Sequence, residues 1–274
     1  MSKKFQKEYA LNGIIKLRSL ISKNQANNII KKINLIFCNI MKDKNLIKGR
    51  INIFNNPKKI NVLKFKHNSI FLNLKLKTIQ KFPEIYQIGS SKKIFKYLKK
   101  LGIKEPVYST DPLIMMHHES TNMALGGDYA PFHQDWRSVQ GSLNCIVLWI
   151  PLIDIIPRMG SITYIPGSHK EGLLPTQKHP WFREISSKYT EKFKDTEQII
   201  SKGDGFMFSS FLVHKSKENN SKKIRVSLQF RYNDLSEENY IKRGYPCNYI
   251  HAIPNKRILR KDIPSKTDIL KIYK

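Results

Sequence analysis

Cysteine, acidic residues and long apolar runs are what this 274-residue chain has least of. Its three cysteines, Cys38, Cys145 and Cys247, are odd in number and form no CxxC pair, which excludes a disulfide framework or a cysteine zinc site as an organising device. A reducing, cytoplasmic setting is expected. No stretch approaches the roughly eighteen apolar residues of a membrane span; the longest, 145–150, stops at Pro151 and is strand-sized. Segment 9–21 is interrupted by Asn12, Lys16 and Arg18 and does not read as a signal peptide. Asp and Glu total 21 against 49 Lys and Arg, a net charge of +28. Such an excess ordinarily points to a polyanionic partner. Here, however, the lysines are spread along the chain among Asn and Ile, and all three residue types have AT-rich codons. Base composition therefore accounts for the charge better than a nucleic-acid footprint does, and nucleic acid is not expected as a partner. There is also no GxGxxG, Walker A or HExxH motif, which removes the nucleotide-binding and zincin classes those patterns would signal.

What is present is the composition of a packed globular protein, 40% hydrophobic and 11% aromatic. Ser22 with Gln25 three residues on is a capping-box start. After it, Ala26, Ile29, Ile30, Ile33, Ile36, Phe37 and Ile40 recur at three- and four-residue spacing and predict an amphipathic helix. A second helix is expected from Ser90 or Ser91 to Leu101, with Gly102 at its left-handed C-terminal cap. Residues 43–72 carry no regular pattern. Beyond Pro106 the periods shorten, and 113–116, 145–152, 161–165, 205–209 and 224–232 are strand-length runs separated by Gly, Pro, Asn and Asp. Strands without alternating helices favour a sandwich, jelly roll or barrel over a Rossmann-like sheet. The expectation is a single domain over 1–274 in three parts: mostly helical over 1–105, a β core over 106–234, and an extended C-terminal wrap over 235–274. The oligomeric state is not legible.

His133 and Asp135 stand two positions apart in Pro131-Phe132-His133-Gln134-Asp135-Trp136, so on an extended strand both point to one face. Phe211-Leu212-Val213-His214 offers a second histidine near the end of another strand pair. His133, Asp135 and His214 together are the ligand inventory of a two-histidine, one-carboxylate iron site with open positions. An HxD pair alone is more often a plain surface or core pair. Further on, Arg225, Ser227, Gln229 and Arg231 alternate with Val226, Leu228, Phe230 and Tyr232. Either that polar face is solvated, the ordinary case for an isolated antiparallel strand, or it faces inward. In that case Arg225 needs an anion such as the distal carboxylate of a dicarboxylate cosubstrate, with Ser227 as an added donor.

Several blocks of residues 106–234 resemble the phytanoyl-CoA dioxygenase family of Fe(II)- and 2-oxoglutarate-dependent oxygenases. His133-Gln134-Asp135-Trp136 resembles its metal-binding segment, and Val147-Leu148-Trp149-Ile150-Pro151-Leu152 its core strand. Pro166-Gly167-Ser168-His169 is similar to its PGSH turn, and Gly203-Asp204, His214 and Arg225 to its closing half. Gly13-Ile14-Ile15 and the helix after Ser22 are similar to its entry. The resemblance implies a double-stranded β-helix (jelly-roll) core flanked by N-terminal helices. It implies that His133, Asp135 and His214 hold Fe(II), and that Arg225 and Ser227 hold 2-oxoglutarate, with Trp149 and Asn144 as further contacts. Trp149 reads equally well as a core aromatic, and His169 as a structural turn residue. His117 and His118, adjacent on a strand, point to opposite faces and do not read as a ligand pair. The implied reaction is hydroxylation of a small organic substrate with O2, releasing succinate and CO2. A carboxylate at 135 favours hydroxylation, because related halogenating enzymes carry a small noncoordinating residue there. The alternatives are a noncatalytic jelly-roll binding protein and a basic nucleic-acid-binding or modifying protein.

Overall fold

The computed structural model describes residues 3–59, 77–118, 130–178, 183–191, 193, 198–246 and 265–273. In chain order its elements are α1 (Lys3–Asn12), β1 (Ile14–Leu17), α2 (Lys23–Asp43), α3 (Pro83–Gly89), α4 (Lys92–Lys100), β2 (Pro106–Tyr108), β3 (Leu113–His117), α5 (Trp136–Val139), β4 (Ile146–Pro151), β5 (Ile162–Tyr164), a 3-10 turn (Ser168–Glu171), β6 (Thr176–Lys178), β7 (Arg183–Ile185), α6 (Ser187–Thr190), β8 (Gly205–Ser209), β9 (His214–Ser216), β10 (Arg225–Asp234), α7 (Glu238–Lys242) and α8 (Lys266–Ile272).

Helix α2 starts where the capping box predicts. Ser22 accepts from the Gln25 amide and the Gln25 side chain accepts from the Ser22 amide. Of the expected stripe, Ala26, Ile29, Ile33 and Phe37 are buried, whereas Ile30, Ile36 and Ile40 are half-buried at its edge; Met41 joins the buried face. Helix α4 is capped by Ser91 and stopped at Gly102, whose φ of +96° suits glycine; the Ile103 amide then reaches back to the Leu98 carbonyl. Between α2 and α3 the described residues 44–58 form turns and irregular chain, as the lack of pattern suggested. Asn34 ties them down, donating to the Ile51 carbonyl and accepting from the Ile53 amide. The remainder of 43–72 lies outside the described residues.

The main sheet has six antiparallel strands in the order β1-β8-β4-β10-β2, with β3 also pairing β10. Register decides its two faces, because directly paired residues share a side. Ile15, Met207, Leu148, Leu228, Phe230 and Tyr232 pack on one face with α2, α3 and α4 into the larger core. Ile14, Phe208, Val147 and Arg231 are aligned across the other face, as are Phe206, Trp149 and Gln229. Ile155, Met159, Ile162 and Leu212 close over that second face, and the short β5–β9 sheet lies on that side. This is a jelly roll with helices on the outer face of its main sheet. The polar side of β10 is therefore internal.

The N-terminal part also holds a strand, β1, an edge strand that Gly13, at φ +75°, turns into the sheet. The C-terminal part is not purely extended. In α7 the Glu237 side chain accepts from the Asn239 and Tyr240 amides, and in α8 Ser265 and Asp268 form a capping box. Those caps are readable signals, and short helices lose out in pattern searches because they span fewer than two apolar repeats. Among the described residues no helix is long and apolar enough to cross a membrane.

Candidate metal centre

His133 and His214 exchange backbone hydrogen bonds, His133 N to His214 O at 2.9 Å and His214 N to His133 O at 3.1 Å. Such a pair sets both side chains on one face, and the two rings lie 4.2 Å apart between centroids. Asp135 is not on a strand, as the HxD spacing suggested. It is the N-cap of α5, in helical conformation, with its carbonyl accepting from Ser138 and Val139. The convergence survives because the chain turns just after the bridge. One ligand atom from each of His133, Asp135 and His214 lies within 4.8 Å of the others, and the His133 Nε2 to Asp135 Oδ1 distance is 3.5 Å.

The orientation of each imidazole follows from its other nitrogen. His133 Nδ1 is 2.7 Å from the Pro131 carbonyl and His214 Nδ1 is 2.9 Å from the Leu212 carbonyl. A carbonyl only accepts, so each Nδ1 carries the hydrogen and donates it, which places the lone pair of the neutral ring on Nε2. Burial, and next the neighbouring His133, push the His214 pKa down to about 3, keeping it neutral. For Asp135 burial is the largest single influence and opposes ionisation, but Arg231 and the two histidines together outweigh it and hold the carboxyl well below the usual carboxylate range. Two imidazoles with Nδ1 hydrogens held by carbonyls and one ionised carboxylate, convergent and with Asp135 and His214 buried, are a donor set suited to Fe(II). Among the described residues no other group of three His, Cys, Asp or Glu converges in this way.

Arg225 and Ser227 are each 2% exposed and share the inner face of β10 with Gln229 and Arg231. The Arg225 Nη1 donates to the Lys217 carbonyl at 3.0 Å, and His117 sits directly opposite on β3. Trp149 is on the same inner face, between Gln229 and Phe206, within the apolar cluster that closes the roll. Asn144 is placed otherwise. Its Nδ2 donates to Asp234 Oδ2 at 3.0 Å and to the Gly102 carbonyl at 3.3 Å, linking the entry to β4 with the end of β10. His169 is fully buried, edge-on to Tyr273, with Nε2 at 3.2 Å from the Ala10 carbonyl. Arg231 was not singled out from the sequence, yet its Nε and Nη2 both lie against Asp135 Oδ2, at 3.2 and 3.0 Å. The available signal was the alternation itself, since a second inward arginine requires a second anion.

The sequence profile described as Phytanoyl-CoA dioxygenase (PhyH) matches residues 87–227, just over half of the chain. The chain belongs to this family. Methylphosphonate hydroxylase of Gimesia maris is 31% identical over 112 residues, 41% of this chain and 42% of that protein. Phytanoyl-CoA dioxygenase of Arabidopsis thaliana is 30% identical over 175 residues, 60% of this chain and 59% of that protein. The chain thus spans between about two fifths and three fifths of these curated relatives. Among solved structures, EctD from S. alaskensis with 2-oxoglutarate and 5-hydroxyectoine aligns with a TM-score of 0.57 at 15% identity, over 86% of this chain and 77% of that one. The epimerase SnoN in complex with Fe3+, alpha ketoglutarate and nogalamycin RO gives 0.57 at 12% identity, over 85% and 83%. These likenesses establish the jelly-roll fold. The family segment contains His133, Asp135, His214, Arg225 and Ser227, whereas Arg231 lies just beyond it.

Proposed function

We propose that this member of the phytanoyl-CoA dioxygenase family is a non-haem Fe(II)- and 2-oxoglutarate-dependent oxygenase that hydroxylates a small organic substrate. The observation carrying the reading is the convergence of His133, Asp135 and His214, with both Nδ1 atoms tied to carbonyls so that the lone pairs are on Nε2. Ferrous iron held by these three residues supplies the redox chemistry, in which O2 delivers one oxygen atom to a substrate C–H bond and one to 2-oxoglutarate, which leaves as succinate and CO2.

The protein's own part is binding, orientation and exclusion of water. His133 and His214 present Nε2 lone pairs, with burial keeping His214 neutral, and Asp135 stays ionised. On this reading Arg225, already stripped of water on the inner face, receives the distal carboxylate of 2-oxoglutarate through charge-assisted hydrogen bonds, and Ser227 adds a hydroxyl. Trp149 and the phenylalanines beside it form an apolar wall that keeps water from the reacting end. Asn144 supports the frame through Asp234. Relatives named as hydroxylases support the reaction class. A cytoplasmic location belongs to the same proposal, supported by Cys38 and Cys145, buried free thiols, the second with its pKa pushed up to about 12 by burial.

The test has two parts. Anaerobic addition of Fe(II) and 2-oxoglutarate should produce a weak visible charge-transfer band. Aerobic incubation with a metabolite mixture should then give succinate and a product heavier by one oxygen atom. A protein that binds neither metal nor cosubstrate is a noncatalytic barrel, and the proposal fails.

A further inference from the structure

We propose that Arg231 is a positioning residue that makes Asp135 a one-oxygen ligand, which rests on the metal-binding reading of His133, Asp135 and His214. An arginine facing a carboxylate ordinarily forks, each nitrogen taking a different oxygen. Here both contacts fall on the same atom: Nε is 3.2 Å and Nη2 is 3.0 Å from Oδ2. Oδ1 is turned to the other side, 3.5 Å from His133 Nε2, toward the space the histidines share. One carboxylate oxygen is occupied by the protein and the other is presented to the metal position.

The clamp is built on a buried strand paired within the main sheet. Arg231 is 4% exposed on the central strand β10, which is paired with β4 along this stretch, and its carbonyl accepts from the Ser109 amide at 2.8 Å. Its Nη2 also reaches Gln229 Oε1 at 3.4 Å, limiting rotation of the guanidinium. Asp135, by contrast, stands at the start of the one-turn helix α5, which by itself leaves the carboxylate free to rotate. A carboxylate that bound metal through both oxygens would take one of the positions that a two-histidine, one-carboxylate site keeps open for its reactants. Holding Oδ2 prevents that. Lysine cannot substitute, because an ammonium is a point charge without the paired donors of a guanidinium.

The test uses Co(II) as a redox-silent probe on the full chain, comparing wild type with Arg231→Gln and Arg231→Lys. Affinity is read by anaerobic titration, and coordination number by the intensity and position of the d–d absorption bands. Outer partners of metal ligands are typically worth about 10- to 100-fold in affinity, and Arg231→Gln is expected to lose that much and to shift the bands, with Arg231→Lys failing to restore them. Circular dichroism identifies any variant that does not fold. If Arg231→Gln is such a variant, Arg231→Lys keeps the buried charge balanced and decides the question alone. Unchanged affinity and unchanged bands in a folded variant overturn the role of Arg231 but leave the metal centre standing. Absence of Co(II) binding by the wild type overturns both.

Discussion

Replacing Arg225 with Gln tests the cosubstrate end of the pocket separately from the metal end. Arg225 is 2% exposed, so its guanidinium is already desolvated before any ligand arrives, and binding an anion costs it no further hydration. Its position is set by the Lys217 carbonyl at 3.0 Å, and Gly160 packs beside both, at a φ of +68° and with room for no Cβ, which would collide with the Glu218 and Lys217 carbonyls and lie 2.9 Å from Arg225 Nη1. Removing one partner of a buried charge pair costs about 2–5 kcal/mol. Glutamine keeps a neutral donor, so a loss of about 3 kcal/mol is expected, equivalent to about a hundredfold in dissociation constant. The assay is an anaerobic titration of the Fe(II)-loaded protein with 2-oxoglutarate, followed at the visible charge-transfer band. A control with 2-oxobutyrate, which lacks the distal carboxylate, should show equal binding to wild type and variant. Gly160→Ala should weaken 2-oxoglutarate binding in the same direction, because its Cβ would push on the Glu218 and Lys217 carbonyls and so move the backbone acceptor that holds the guanidinium. If Arg225→Gln binds 2-oxoglutarate as tightly as wild type, Arg225 does not hold that carboxylate and the assignment is wrong.

Asp234 accepts from the Lys104, Glu105 and Ser236 amides, the Ser236 hydroxyl and Asn144 Nδ2. Asp234→Asn sets an amide NH2 against two of those donors and should cost about 3 kcal/mol, seen as a lower midpoint in urea unfolding. Burial opposes this carboxylate, but its hydrogen bonds win and lower its pKa in the folded state. Its contribution is therefore complete above the unfolded value of about 3.9 and lost as pH falls through the folded one; a stability difference between wild type and Asp234→Asn that widened in acid would contradict this. Phe37→Ala, in the buried stripe of α2, should destabilise by about 3–5 kcal/mol while leaving Co(II) affinity unchanged, because α2 packs on the face of the sheet opposite the metal centre. Saturating Co(II) at about a hundred times its dissociation constant should raise stability by about 2.7 kcal/mol. His214→Ala or a chelator should abolish that gain, and a persisting gain would place the metal elsewhere.

Local rules carried the elements whose signals are confined to a few neighbouring residues. The Ser22–Gln25 box, the stripe from Ala26 to Phe37, the Ser91 cap and Gly102 stop, and the strand at 205–209 all follow from periodicity and capping, which act within a turn or two of chain. The His133, Asp135 and His214 set was legible for a different reason: few residue types ligate iron, and their spacing to Arg225 resembles a known family. Tertiary structure alone decided which face of β10 is internal, since alternation reads the same for a solvated strand and a buried one until β4, β8 and β9 are in place. It also decided that Asp135 sits at a helix start, that Asn144 serves Asp234, and that Arg231 meets Asp135 across 96 residues of sequence. Burial and partner choice depend on chain segments far apart in sequence, so composition and spacing name the candidate groups while only the packed fold determines which of them touch.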